Sequence, residues 1–428
     1  MFPTLIAATI GLLIVGVSVA LFAIALSTLY VSTHAWWDPL TQASTSYTEL
    51  LPKPALSFSL IMPCRHESER VMASTLKHLC EQDHPNVEVI ISVGHDDPET
   101  AATAYRLAAR RPEKVRVSLD SGAVKNKPQQ LNTALAICRN DIVGIFDAES
   151  IAAPDLLLHV DSCFQIRNAD VVQGAVQLVN YRDTWYSLRN CLEYFTWFRS
   201  RLHAYAKQGF IPLGGNTVFI RRDVLGTING WDARCLAEDC DLGVRLSVLH
   251  RRIVIAYSPH LVTKEETPDS IRSLVKQRTR WSLGFMQVHA KGDWKTLPTM
   301  RQRCMAWWTL MQQHFMAFAG LCLPFSIGTA VLGKYPVPIT LLAFVPLVPA
   351  VAALAFDVCM LHEFGRDHGY RIRMYDYLRL VAATPFYQVL LAFAALRALI
   401  KFRRHDFRWE KTSHSGSHLE YLGAAAKA

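Results

Sequence analysis

Hydrophobic and polar positions divide this chain into three regimes. Residues 5–31 are apolar and uncharged, a stretch longer than the roughly 20 residues that cross a bilayer core. It lacks the basic start and small-residue cleavage site of a secretory signal, so it predicts a retained transmembrane helix within residues 1–31. A polar connector, 32–56, carries Pro39, Pro52 and Pro54. From 57 to 294 short apolar runs alternate with longer amphipathic stretches. "SFSLIM" (57–62), "VEVIISV" (87–93), "KVRVSL" (114–119) and "DIVGIF" (141–146) read as strands with helical patterns between them. That alternation predicts an α/β domain with a mostly parallel sheet covered by helices. Beyond it lies a membrane region, 295–400, in which 307–332 and 337–361 are each long enough to span. A third apolar stretch, 378–400, contains Pro385 and Arg397 and has basic residues on both flanks. Both flanks therefore favour the cytoplasm, which predicts a re-entrant or interfacial segment. The expected topology is N-terminus outside, 57–294 inside, three spans, and a basic tail, 401–428, inside.

Composition sharpens this picture. Hydrophobic residues make up 51% of the chain, more than a purely soluble enzyme carries. The formal charge of +9 is spread along the chain and gathers near apolar segments, which fits membrane topology and argues against nucleic-acid binding. Ten cysteines occur without a CxxC pair, which fits a reducing compartment and gives no support for zinc or a disulfide framework.

Ligands of such sheets lie beyond the carboxyl ends of the strands, so the residues there are the candidates. Asp147 and Glu149 in "FDAES" could hold Mg²⁺ or Mn²⁺ with positions left for phosphate oxygens; alone, the pair reads equally as an acidic turn. "AEDCDL" (237–242) places Glu238, Asp239 and Asp241 at a helix start, where mutual repulsion raises at least one pKa unless a cation is near. A carboxylate so poised suits a general base, although plain N-terminal helix charges would look the same. Lys125 and Lys127 precede a helix whose N-terminus suits a diphosphate. "MPCRHESER" (62–70) and "VGHDDPET" (93–100) leave the first two strands, and "LGGNTVFIRRDV" (213–224) makes a tight Gly-Gly-Asn-Thr turn before another. Gln277, Arg280 and Trp281 share one helix face, offering an amide, a phosphate-binding guanidinium and a flat ring for a sugar. A membrane-interface anchor would present the same residues. Arg278 lies outside this motif.

Taken in order, these motifs resemble the membrane-bound processive branch of glycosyltransferase family 2, which contains the cellulose, chitin and hyaluronan synthases. The resemblance covers about 57–290 and implies a GT-A fold with inverting transfer from a nucleotide-diphosphate sugar, a UDP-sugar being the expected donor. It implies donor contacts from Pro63, Arg65, Glu67, Asp96, Asp97, Lys127, Asp147, Gln277, Arg280 and Trp281. It implies a divalent cation, Mg²⁺ or Mn²⁺, on Asp147 and Glu149, where glutamate replaces the family's second aspartate. Gly215, Asn216, Thr217 and Trp281 would line the acceptor site, and Asp239 would be the base. The tail stretch "WEKTSH" (409–414) is similar to the gating segment of these synthases. The expected product is a polysaccharide extended at the inner membrane from the cytoplasmic side. Three spans are few for an export pore, so a homo-oligomer, a short product or single transfer to a lipid acceptor are the alternatives. A membrane scaffold with an inactive GT-A domain is the remaining reading, disfavoured by the presence of both carboxylate motifs.

Overall fold

A computed structural model describes residues 2–38, 50–332, 337–412 and 416–420. Pro39 and the middle of the expected connector, and the tail beyond 420, lie outside the described residues. The α/β block is built on strands β1 (Phe58–Cys64), β2 (Val87–Gly94), β3 (Val115–Asp120), β4 (Ile142–Ile145), β5 (Val171–Gly174), β6 (Val176–Leu178), β7 (Val218–Arg221), β8 (Ile253–Ala256) and β9 (Thr263–Glu265). Seven strands form one sheet in the order β3-β2-β1-β4-β7-β5-β8, and β6 pairs β9 in a small second sheet. All pairs are parallel except those of β7, which runs against both β4 and β5. The four expected strands are β1 to β4.

Every residue of β1 is buried, as a parallel strand covered on both faces requires. Its side chains alternate between two cores. Leu60 and Met62 join Leu76, Leu79 and Phe164 on one face, while Ile61 joins Leu131, Leu242 and Leu246 on the other. Each such aliphatic side chain contributes about 1.5–3 kcal/mol on burial.

Among the described residues, three helices are long and apolar enough to cross a membrane: Gly11–Ser32, Val337–His368 and Met374–Arg403. The expected span 307–332 falls within the helix Met300–Leu332, much of whose second half has side chains outside the described residues. The segment 378–400 lies in one unbroken helix, Met374–Arg403, that continues through Pro385. It does not turn back on itself, which corrects the re-entrant form of that expectation. Instead it lies along the α/β block. Asp376 pairs with Arg182 at 3.0 Å, Tyr387 donates to Glu193 at 2.8 Å, and Ala398 packs against Leu283 and Met286. Its other face leaves Leu378, Phe386, Val389, Phe393 and Ile400 exposed. Ion pairs of Arg189 with Asp357, and of Arg199 with Glu363 and Asp367, fasten the end of the preceding apolar helix in the same way.

Arg278, outside the Gln277–Trp281 motif by its side-chain direction, is the polar hub of this docking. It donates to Asn190, Glu193 and the Tyr387 hydroxyl, and its guanidinium lies 4.7 Å from the Trp281 ring centroid. Removing one partner of a largely buried ion pair strands the other's charge. We expect Arg278→Met to lower stability by about 3 kcal/mol, read as a lower Tm of the detergent-solubilised chain, and Arg278→Met/Glu193→Gln to recover part of the loss.

Candidate active site

Because β1, β2 and β4 are parallel, the residues leaving them emerge at one sheet edge. The antiparallel β7 begins where those strands end, so the turn 214–217 arrives at the same place. This edge gathers candidates from widely separated stretches of sequence.

At its β1–β2 end, Arg65 forks onto Asp96 at 2.6 and 3.3 Å, and that bond holds the Asp96 carboxyl below its usual range. Asp97 is buried. Burial alone would raise its carboxyl, but hydrogen bonds from the His66 and Thr100 amides outweigh this and lower it. The Thr100 bond, at 3.3 Å, makes Asp97 the cap of the helix Pro98–Ala108, and the His66 bond, at 2.5 Å, ties it to the loop after β1. Of the two aspartates, Asp96 is the one with a partly open carboxylate. Pro63 is buried inside β1, and Glu67 is paired with Lys411 at 2.7 Å.

In the middle, Asn126 caps the helix Lys127–Leu135 by accepting from Gln129 at 3.1 Å. Lys127 thereby stands in the first turn and donates to the Asp147 carboxylate and, at 2.7 Å, to the Gly215 carbonyl. Burial works against its charge, but Asp147, Glu238 and Asp239 outweigh it and raise its pKa. A Cβ on Gly215 would lie 3.0 Å from Asp239 Oδ2 and 3.4 Å from Lys127 Nζ, so the glycine is what lets these groups approach. Asn216 and Thr217 are buried behind it. Asn216 donates to Ser150 at 2.8 Å and to Glu265. Thr217 bonds Thr263 at 2.7 Å and holds a left-handed φ of 53°, a conformation costly for a β-branched residue. These two shape the site from below.

Sequence reasoning missed Glu265. It is buried, accepts from Ser150 at 2.8 Å, and its carboxyl is pushed well above the usual range by burial and by the charges of Glu149 and Asp147. Nothing in "KEETPDS" marks this residue; the antiparallel bridge between Ile151 and Lys264, with β9 held on β6, brings it toward Asp147. Asp147 and Glu149, backed by Glu265, form an oxygen-rich site with more negative charge than Lys127 balances. That donor set fits Mg²⁺ or Mn²⁺.

At the β7 side the helix Glu238–Val248 begins with the acidic motif. Burial raises Glu238, with the charge of Asp239 next in effect, and burial likewise raises Asp239; Lys127 and Arg280 pull both downward. Asp241 does not belong to the site: Arg245 at 2.9 Å and Lys291 neutralise it. That leaves Glu238 and Asp239 as the carboxylates facing Lys127 and Arg280.

The helix Ile271–Lys291 carries Gln277, Arg280 and Trp281. A Cβ on its Gly284 would lie 2.5 Å from the nitrogen and Cβ of Ala237, so the glycine sets this helix against the residue preceding Glu238. Gln277 is buried with its Oε1 lacking a partner, and Trp281 tilts against Tyr194 at 6.3 Å. The tail closes over the assembly. Trp409 lies under the Arg280 guanidinium at 5.7 Å, and Lys411 donates to the carbonyls of Arg65 and His66 at 2.5 and 2.7 Å. Glu266 accepts from Gly416 and Ser417 at 2.7 and 2.9 Å. Of the gating-like stretch, Ser413 and His414 lie outside the described residues.

Known proteins are similar to this chain in sequence and in fold. A β-monoglucosyldiacylglycerol synthase from Nostoc sp. is 26% identical over 387 residues, covering 85% of this chain and 78% of the relative. A poly-β-1,6-N-acetyl-D-glucosamine synthase from Staphylococcus epidermidis is 23% identical over 256 residues, covering 57% of this chain and 58% of the relative. The mannosyltransferase PcManGT from Pyrobaculum calidifontis, solved with GDP-Man and Mn²⁺, shares the fold at a TM-score of 0.62 and 17% identity, over 91% of this chain and 99% of its own. The model of the family described as "Glycosyltransferase like family 2" matches residues 54–284, and the chain belongs to that family.

Proposed function

We propose that this chain is a membrane-embedded, inverting glycosyltransferase that moves one sugar from a nucleotide-diphosphate sugar to a lipid acceptor. The observation that carries the lipid acceptor is the helix Met374–Arg403. One face packs along the helix bearing Gln277, Arg280 and Trp281, and its other face is apolar and exposed at Leu378, Phe386, Val389 and Phe393. Such a helix lies at the bilayer surface with its outer face in lipid, and it puts the acceptor side of the site at membrane depth. Among the described residues, the remaining apolar helices of one chain are then too few to ring a lumen, since helices about 10 Å across pack in twos and threes without a central channel. The relatives support this reading. The match to the β-monoglucosyldiacylglycerol synthase of Nostoc runs through most of this chain, whereas that to the poly-β-1,6-N-acetyl-D-glucosamine synthase covers 57% of it. This reverses the order expected from the motifs, in which the polysaccharide came first.

In this reading Asp239 takes the proton of the acceptor hydroxyl. The acceptor oxygen bonds to the sugar's anomeric carbon as the bond from that carbon to the diphosphate breaks, inverting the centre. Lys127 and Arg280 stabilise the departing diphosphate, and Arg65 and Asp96 stand where the nucleoside would lie. A divalent cation, when bound, neutralises phosphate charge; Asp147 and Glu149 would hold it. Trp281, beside Tyr194, supplies a ring face for sugar or acceptor, and the buried unpaired Oε1 of Gln277 awaits a donor from the substrate.

Three measurements test this. Asp239→Asn should reduce transfer at least about a thousandfold while leaving nucleotide affinity within a few fold; undiminished turnover removes Asp239 as the base. Because its carboxyl is raised in the folded chain, the base is protonated at low pH. We therefore expect kcat/KM to rise with pH through an apparent pKa above the usual aspartate value of about 4, and then to level off. Finally, the purified chain should be given UDP- and GDP-sugars with diacylglycerol in micelles. One glycolipid of single mobility is expected; a polymer ladder formed without lipid would establish the polysaccharide reading instead.

A further inference from the structure

A second cluster of metal-ligating side chains lies away from Asp147 and Glu149. Asp155, His159 and His260 bring three ligand atoms within 4.8 Å of one another, the one such group among the described residues. His159 Nε2 stands 3.4 Å from Asp155 Oδ2, and His260 Nε2 stands 3.9 Å from the same oxygen. Both separations exceed a normal hydrogen bond of about 2.7–3.2 Å. They lie near the edge of a coordination tetrahedron, which for ligands about 2.1 Å from a zinc ion is roughly 3.4 Å.

Each side chain is arranged for ligation. Asp155 occupies the cap position of the helix Leu156–Arg167 yet makes no side-chain cap bond, so its carboxylate faces the imidazoles. His159 is buried and its Nδ1 has no partner, which leaves Nε2 as the atom through which the ring can recover its lost hydration. His260 bonds Ser258 Oγ through Nδ1 at 2.7 Å, which orients the ring and directs Nε2 inward, as outer partners of metal-bound histidines do. Its exposed outer side leaves room for a water as fourth ligand.

We propose that Asp155, His159 and His260 bind one zinc ion as a structural staple. Two nitrogens and a carboxylate oxygen are the donor set such an ion prefers over Mg²⁺, so this site and the oxygen-rich one would select different metals. The position gives the staple a purpose. Ile151 and Lys264 exchange two backbone hydrogen bonds at 3.0 and 2.9 Å, clipping the segments 147–155 and 258–265 together. At one end of that clip stand Asp147, Glu149 and Glu265; at the other stand Asp155 and His260. A zinc ion there would close the far end and hold the carboxylates of the near end in register. The proposal does not depend on which sugar or acceptor is used.

The test is metal content of the full-length, untagged chain in detergent, stripped with chelator, incubated with Zn²⁺ and desalted. We expect about one equivalent retained by the native chain and by Asp147→Asn. His260→Ala, which alters an exposed side chain, and His159→Gln should each weaken binding at least about tenfold. Added Zn²⁺ should raise the Tm of the native chain by mass action and leave that of His260→Ala unchanged. The native chain retaining no zinc, or His260→Ala retaining as much as the native chain, would overturn the site. Loss of zinc in Asp147→Asn alone would assign the ion to the oxygen-rich cluster and overturn it equally.

Discussion

The approach of Gly284 to Ala237 is the contact on which the site's geometry turns. No side chain larger than hydrogen fits at Gly284 without displacing the backbone ahead of Glu238. The helix Ile271–Lys291 is therefore set directly on the start of the helix Glu238–Val248. Arg280, about one turn before Gly284, is carried within electrostatic reach of the acidic pair. The same helix is gripped on its other side by Met374–Arg403 through Arg278, Glu193 and Tyr387. One element thus joins the start of the acidic helix to the helix Met374–Arg403. A shift on either side is transmitted as a rigid-body displacement, because cores at crystalline density do not absorb it locally.

Charge balance is the second constraint. Glu238, Asp239, Asp147, Glu149 and Glu265 converge from three parts of the chain, and their mutual repulsion is offset by Lys127 and Arg280. Lys127 is central because it bridges Asp147 to the Gly215 carbonyl. A site that is net negative before substrate arrives favours a cation, and a nucleotide diphosphate brought with that cation completes the neutralisation. Asp241 shows the contrast. Equally acidic and close to Asp239 in sequence, it is silenced by Arg245 and Lys291 and serves the fold.

The tail is bound to both ends of the site. Lys411 holds the loop after β1, and residues 416–418 bond to Glu266, the neighbour of Glu265. Burial would raise the Glu266 carboxyl, but its bonds to His418, Gly416 and Ser417 outweigh that and bring it down to about 2. It is therefore ionised, and its grip on the tail complete, throughout the range in which membranes and nucleotides are intact. Because the folded value lies below the unfolded one of about 4.3, the stability this grip contributes is present in full above that pH and is lost as pH falls through it toward about 2.

Patterns of short range are legible in the sequence by itself. The strands β1, β2 and β4 stand out because parallel strands buried on both faces are largely apolar runs, the edge strand β3 shows instead a partly polar alternation, and the long uncharged stretch 5–31 has the length of a membrane-crossing helix. Glu238-Asp239 and Gln277-x-x-Arg280-Trp281 are visible because each motif is contiguous or confined to a helix face. What only the tertiary structure decides is of another kind. Glu265 enters the site through β9, Asp97 and Asp241 leave it by capping and pairing, Arg278 becomes a hub, and His260 meets Asp155 and His159. The stretch 378–400 is one unbroken helix lying on the catalytic block, because the surface that holds it is supplied by residues such as Glu193 and Thr279, distant in sequence. Local composition determines what an element can be; which charges are spent on the fold and which are left for chemistry depends on partners brought together only by folding.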